Sequence, residues 1–140
     1  MNTYEIINKL AIPQHQFINV AEKLFNIDNL PPDLISYLYV NNAELHVHIA
    51  EYHYTPIDIL IELSKNKRHD HVRLLIAENP NTPTDVLIKL SKDENWLVRG
   101  SVARNPNTPV NILIELCKDI DNSVRKCSLF NRTNRISLLK

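Results

Sequence analysis

The sequence predicts an all-α protein built as a solenoid of about four two-helix repeats behind an N-terminal helical cap. Three observations carry that expectation. Asn79-Pro80-Asn81-Thr82-Pro83 returns almost letter for letter as Asn105-Pro106-Asn107-Thr108-Pro109, 26 residues later, and self-similarity at such a period is the mark of a repeat architecture. Behind each copy, apolar residues three, four and seven places after the second proline (Val86, Leu87 and Leu90; Ile112, Leu113 and Leu116) form one buried helical stripe. Ahead of each copy, Val72-Arg73, Val98-Arg99 and Val124-Arg125 recur at one offset.

The elements follow in order. Tyr4, Ile7 and Leu10 have helical spacing, and Pro13 opens a second run with Phe17, Val20, Ala21 and Leu24 on one side. Residues 1–29 match the later pattern poorly and are expected to cap the first repeat. From Pro31, the run Pro31-Pro32-Asp33-Leu34-Ile35 aligns with the runs from Pro56, Pro83 and Pro109, at intervals of 25, 27 and 26 residues. These are the first helices of successive units. Asn before Pro is pushed out of the α region, so Asn79 and Asn105 should end the helices before them. Thr82 and Thr108 are expected as N-caps, with Pro83 and Pro109 at the first helical position and Asp85 and Asn111 near the positive end of the helix dipole.

A second, shorter helix is expected in each unit, over roughly 43–51, 70–77, 95–103 and 122–130. Its inward residues are Leu45, Ile49 and Ala50, then Val72, Ile76 and Ala77, then Val98, Val102 and Ala103, then Val124, Ser128 and Leu129. Helices this short do not persist alone in water, so stability must come from packing between neighbours. Asn131-Arg132-Thr133-Asn134-Arg135 stands where a further turn would be, but both prolines are gone. The repeats are therefore taken to span 30–131, with 132–140 a partial repeat, all within one domain of 1–140.

Composition narrows the function classes. The formal net charge is zero, which argues against a dedicated polyanion binder. The charge is unevenly placed: residues 1–98 carry 8 Lys and Arg against 13 Asp and Glu, and residues 99–140 carry 8 against 3. Neither a signal-like N-terminus nor a membrane-length apolar run is present, so a cytoplasmic protein without membrane contact is expected. Cys117 and Cys127 do not make a secreted disulfide framework. The only glycine is Gly100, which leaves no phosphate-cradling loop.

Units that run Val-Arg, Val-Ala, Asn-Pro-Asn-Thr-Pro and then two leucines at helical spacing resemble the leucine-rich repeat variant family. The resemblance covers about 30–131, is very close over 70–116, and is weaker in the copy with Tyr52-His53-Tyr54-Thr55-Pro56. It implies a right-handed solenoid that alternates an α-helix with a shorter helix, often of 3₁₀ type, without a β-sheet. Some members carry an N-terminal cysteine cluster for an iron–sulfur centre. This chain has no cysteine before Cys117, so no cofactor is implied. The family shares no catalytic residues, and the resemblance names a scaffold rather than a reaction.

Candidate binding residues come from the repeat offsets. Arg73, Arg99 and Arg125, with His46 in the earliest unit, would stack into a basic ladder. Its functional reading is a row of anion contacts, to nucleic acid or to an acidic partner. The alternative is local pairing, since Asp70 lies three residues before Arg73 and Asp121 four before Arg125. Trp96 and Leu97 depart from their own pattern, replacing Asp70 and His71 of one neighbouring unit and Asn122 and Ser123 of the other. Large apolar residues at such places are what a partner-binding hot spot requires, unless Trp96 folds back onto Arg99. His46, His48, His53, His69 and His71 do not converge as zinc ligands, because residues two apart on a helix point to different sides. No nucleophile, base and anion hole can be assembled around either cysteine or any serine, so catalysis is not expected.

The expected function is therefore a non-catalytic scaffold for an unidentified protein partner, with Trp96, Leu97, Arg73, Arg99 and Arg125 as its contacts. The alternative is nucleic-acid binding along Arg73, Arg99, Arg104, Arg125, Lys126, Arg132 and Arg135. Weak head-to-tail self-association of the acidic and basic ends is a further expectation.

Overall fold

The first helix of each unit starts at a proline, and most helices end at an Asn, Ser or Cys. A computed structural model describes residues 16, 19–20, 23–26 and 29–137. The helices are α1 (Pro32–Asn41), α2 (His46–Glu51, entered through a 3₁₀ turn Ala43–Leu45), α3 (Ile57–Ser64), α4 (Asp70–Glu78), α5 (Thr84–Leu90), α6 (Trp96–Arg104), α7 (Val110–Leu116) and α8 (Asn122–Ser137). Among the described residues there is no strand. The protein is all-α.

Even-numbered helices pack in series, α2 on α4, α4 on α6 and α6 on α8, while α3 lies against α4 and α5, and α7 against α8. The core runs without interruption from Leu30 to Val124. It contains the expected inward residues Leu45, Val72, Val98 and Val124, and behind them Ile49, Ile76 and Val102. No single helix pair encloses this core; each buried face is covered by the next pair along.

The turn between units works differently from the expectation. Thr82 and Thr108 are not N-caps: α5 and α7 begin at Thr84 and Val110, Pro83 and Pro109 hold the N-cap position, and no side chain caps them. The threonines are buried and face backwards. Thr55, Thr82 and Thr108 each donate the hydroxyl to a carbonyl near the end of the preceding helix, those of Ile49, Ile76 and Val102. The reason is that these carbonyls stand in the last helical turn, sealed from water; those of Ile76 and Val102 otherwise meet only the N–H of Asn79 and Asn105 three residues on, and an under-satisfied buried carbonyl costs more than an exposed N-terminal N–H does.

Asn79 and Asn105 end their helices as expected, and their side chains also reach across to the unit before. Asn105 Nδ2 donates to Ala77 O at 2.8 Å and to Asn79 O at 3.0 Å. Asn79 Nδ2 donates to Ala50 O and Tyr52 O, and Asn131 Nδ2 to Ala103 O and Asn105 O. Each Oδ1 of Asn79 and Asn105 accepts the N–H two residues on, which fixes the amide's orientation. Asparagine thus closes the helix end of the previous unit, while threonine closes that of its own. Tyr52 occupies the asparagine's place in the earliest unit, where its hydroxyl accepts from Leu30 N at 2.8 Å.

Four further differences from the expectation have local causes. The second helix is the shorter one only in the first unit, where α2 has 6 residues against 10 in α1; α4 and α6 have 9 residues each against 8 in α3 and 7 in α5. Side-chain capping occurs on these second helices instead: Asn95 Oδ1 accepts from Leu97 N, and Asp121 Oδ1 from Ser123 N and Val124 N. Beyond Asn131 the helix does not break, because Arg132 and Arg135 replace the prolines, and α8 runs on for 16 residues. Leu129, expected inside, is exposed. Of the expected cap, Leu24 and Phe25 pack on the core, Phe25 at 5.5 Å from the Tyr52 ring, and Val20 is exposed; Tyr4, Ile7, Leu10, Pro13, Phe17 and Ala21 lie outside the described residues.

Candidate partner-binding surface

In the arginine row, the guanidinium groups of Arg73 and Arg99 are held from both sides. Arg99 donates Nε to Asp119 Oδ2 at 2.7 Å and Nη2 to Asp119 Oδ1 at 2.9 Å, a two-point grip on a residue twenty positions later. Its Nη1 donates to the carbonyls of Asp93 and Glu94. Arg73 repeats the geometry with Asp93, at 2.7 and 3.1 Å, and with Asn66 O. Both pairs are sheltered, with side chains 9% and 9% exposed for Arg73 and Asp93, and 12% and 8% for Arg99 and Asp119.

The partner is therefore the loop acid of the following unit, not the helix neighbour considered from spacing. Asp70 accepts instead from Asn95 Nδ2 at 2.6 Å, and Asp121 caps α8. The electrostatics agree with the geometry. The Arg99 hydrogen bonds hold the Asp119 carboxyl below its ordinary range against a smaller burial effect. For Asp93, burial is the largest single influence and pushes upward, but the Arg73 hydrogen bonds, the Asn95 N–H and the charges of Arg73 and Arg99 act the other way and the carboxyl is also lowered. Arg73 and Arg99 are raised, chiefly by the same bonds.

Arg125 is the exception in the row. It has the backbone contacts, Nη1 to Asp119 O at 2.7 Å and to Ile120 O at 2.9 Å, but no carboxylate partner among the described residues. His46, at the other end, stacks on Tyr39 at 4.9 Å and meets Tyr39 O. Among the described residues no group of three His, Cys, Asp or Glu is placed to hold a metal. Cys117 and Cys127 are both free thiols, Cys117 donating to Ser128 Oγ and Cys127 accepting from Arg104 Nη1.

Trp96 and Leu97 sit side by side on the first turn of α6, 45% and 41% exposed. The structure adds exposed apolar residues that the sequence reading passed over. Ile88 and Ile114 share one exposed helix position in α5 and α7, off the buried stripe; Ile61 holds that position in α3 but is partly buried against the core, and Ile57 and Val110 are exposed a turn before. Ile120, next to Asp119, is 92% exposed. A signal was present: the same apolar residue recurs in three units at a place where a solvated helix face calls for polarity. Asp93 and Asp119 were legible in the same way, as Asp-x-Asn and Asp-x-Asp at one offset.

The basic residues of the last third are not arranged as one strip. Arg104, Lys126 and Arg135 line a cavity of about 750 Å³ with Pro106, Cys127, Phe130, Asn131 and Asn134. Arg104 is 3.5 Å from Glu78 Oε1, Arg135 spends its guanidinium on the carbonyls of Asn105, Pro106 and Thr108, and Arg132 is half-buried in α8. Among the described residues no helix is long and apolar enough to cross a membrane. Comparisons with protein-family models, with curated proteins and with solved structures give no match.

Proposed function

We propose that the chain is a right-handed α-solenoid of four two-helix repeats, of the leucine-rich repeat variant type, serving as a non-catalytic cytoplasmic scaffold that binds another protein. The serial packing of α2, α4, α6 and α8, and the asparagine bonds that recur between units, support the solenoid. The observation that carries the binding role is the exposed Trp96-Leu97 pair, standing where neighbouring units have Asp70-His71 and Asn122-Ser123. Aromatic side chains at such a place anchor interfaces, and their surroundings need only exclude water.

The sheltered arginine row weighs against nucleic acid. A phosphate track needs cations free to release counterions, and Arg73 and Arg99 are already engaged by Asp93 and Asp119. Nucleic-acid binding would have to use Arg125, which has no carboxylate partner among the described residues, with Arg104, Lys126, Arg132 and Arg135.

Pull-downs from the native cell, with wild-type and Trp96→Ala protein in low and high salt, separate these readings. The scaffold reading expects a bound protein that survives the salt change and binds about 30-fold more weakly to Trp96→Ala, as loss of a hot spot of about 2 kcal/mol implies. Capture that is indifferent to Trp96→Ala, lost in high salt and removed by nuclease would overturn it in favour of nucleic acid.

A further inference from the structure

We infer that Arg125 is a preformed receptor for one carboxylate, presented by an aspartate-bearing turn of a protein partner. The inference rests on the scaffold reading for the identity of the partner, and on the chain's own geometry for the chemistry. Two filled copies of the same receptor exist within the molecule. In each, the guanidinium Nη1 is fastened to backbone carbonyls of the loop before its helix, and the opposite edge, Nε with Nη2, grips an aspartate. At Arg125 the fastening is complete, through Asp119 O and Ile120 O. Among the described residues Nε has no acceptor, and Nη2 reaches only the exposed Asn122 Oδ1 at 3.3 Å.

A guanidinium held this way has lost its freedom before any ligand arrives, so docking a carboxylate on the open edge costs little further entropy. Two parallel N–H donors match the two oxygens of one carboxylate. The surroundings favour a single negative charge on an apolar carrier over a polyphosphate. The carboxylates of Asp119 and Asp121 flank the turn, and Ile120, whose carbonyl holds Arg125, is almost fully exposed beside it. The occupied copies also show the form of the ligand. Asp93 and Asp119 each accept the N–H two residues on with Oδ1, leaving the carboxylate rigid and aimed at the arginine of the unit before.

In a second copy of this chain, the residues at the place of Asp93 and Asp119 do not supply that group. At the loop position of Asp93 and Asp119 the two earlier units have Asn66 and Asn41, and Asp93 and Asp119 are themselves engaged.

The test is an NMR titration of the full chain with N-acetyl-aspartate N-methylamide, reading arginine Nε–H resonances, with N-acetyl-asparagine N-methylamide at matched ionic strength as control. The expected result is a saturable shift of Arg125 Nε–H several times larger than those of Arg104 and Arg132, none at Arg73 or Arg99, and none with the asparagine compound. In Arg125→Lys, which keeps the charge and loses the fork, the accompanying shifts of the Ile120 and Asn122 amides should disappear. Equal shifts at Arg104, Arg125 and Arg132, or unchanged Ile120 and Asn122 shifts in Arg125→Lys, would overturn the inference. Because the probe is a small molecule, that failure leaves the Trp96 test untouched.

Discussion

Asn105→Ala is expected to destabilise the protein by about 3 kcal/mol, the sum of two buried acceptors and one donor left partly unmet. The acceptors are Ala77 O and Asn79 O, and the donor is Asn107 N. The two carbonyls lie at the seam between two units, where Ala77 and Asn79 are buried and water cannot replace the amide, while Asn107 is exposed. Since folded domains are stable by only about 5–15 kcal/mol, this is a large share of the total, and thermal unfolding followed by circular dichroism should show a melting temperature lower by about 10 °C. Asn105→Asp is expected to be as harmful, because a carboxylate offers no donor to the two carbonyls. A surface control, Asn107→Ala, removes only an exposed bond to Pro80 O and should change stability by under about 1 kcal/mol.

The second large effect concerns the arginine row. Asp119→Asn keeps the shape of the side chain but removes the charge from a sheltered two-point pair, leaving Arg99 with carbonyl partners only. Breaking such a pair from one side costs about 3 kcal/mol. The loss should depend on pH with a definite sign. Asp119 and Asp93 have folded pKa values below their unfolded ones, so the stability they contribute is fully present above the unfolded carboxyl value of about 4 and is lost as pH falls through the folded values. Urea unfolding across pH should therefore show a constant gap between wild type and Asp119→Asn from neutrality to about pH 5, narrowing below about pH 4 as Asp119 takes up its proton. A gap that stays constant to the lowest pH would mean that the loss in Asp119→Asn does not come from the charge of Asp119.

Much of the fold was legible because repetition turns one weak signal into several. A single Asn-Pro-Asn-Thr-Pro is a turn of uncertain consequence; two copies 26 residues apart, each followed by the same apolar stripe, locate α5, α7 and the helices before them. The valines at one offset were enough to name the shared core of Val72, Val98 and Val124. What spacing along one chain could not give was which side of the turn each polar group serves. Thr82 stands at the right place for an N-cap, yet its hydroxyl turns to Ile76 because a buried carbonyl is the more demanding partner. The pairing of Arg73 and Arg99 was missed for a related reason. Helix-neighbour distances draw attention to residues three or four away, whereas stacking makes residues twenty apart adjacent. The end of α8 was legible as a departure, from the missing prolines, although its continuation as straight helix followed only once Arg135 was seen bracing it against the turn of the previous unit.

The central claim is that neighbouring units hold each other up through the asparagine seam. Native-state hydrogen exchange of Asn105→Ala against wild type tests it most directly, because it reads local stability helix by helix. The account predicts that amides of α4 and α6 lose protection together, since the side chain that is removed belongs to one unit and closes the helix end of the other. Loss confined to residues around 105–109, with α4 protected as in wild type, would contradict it.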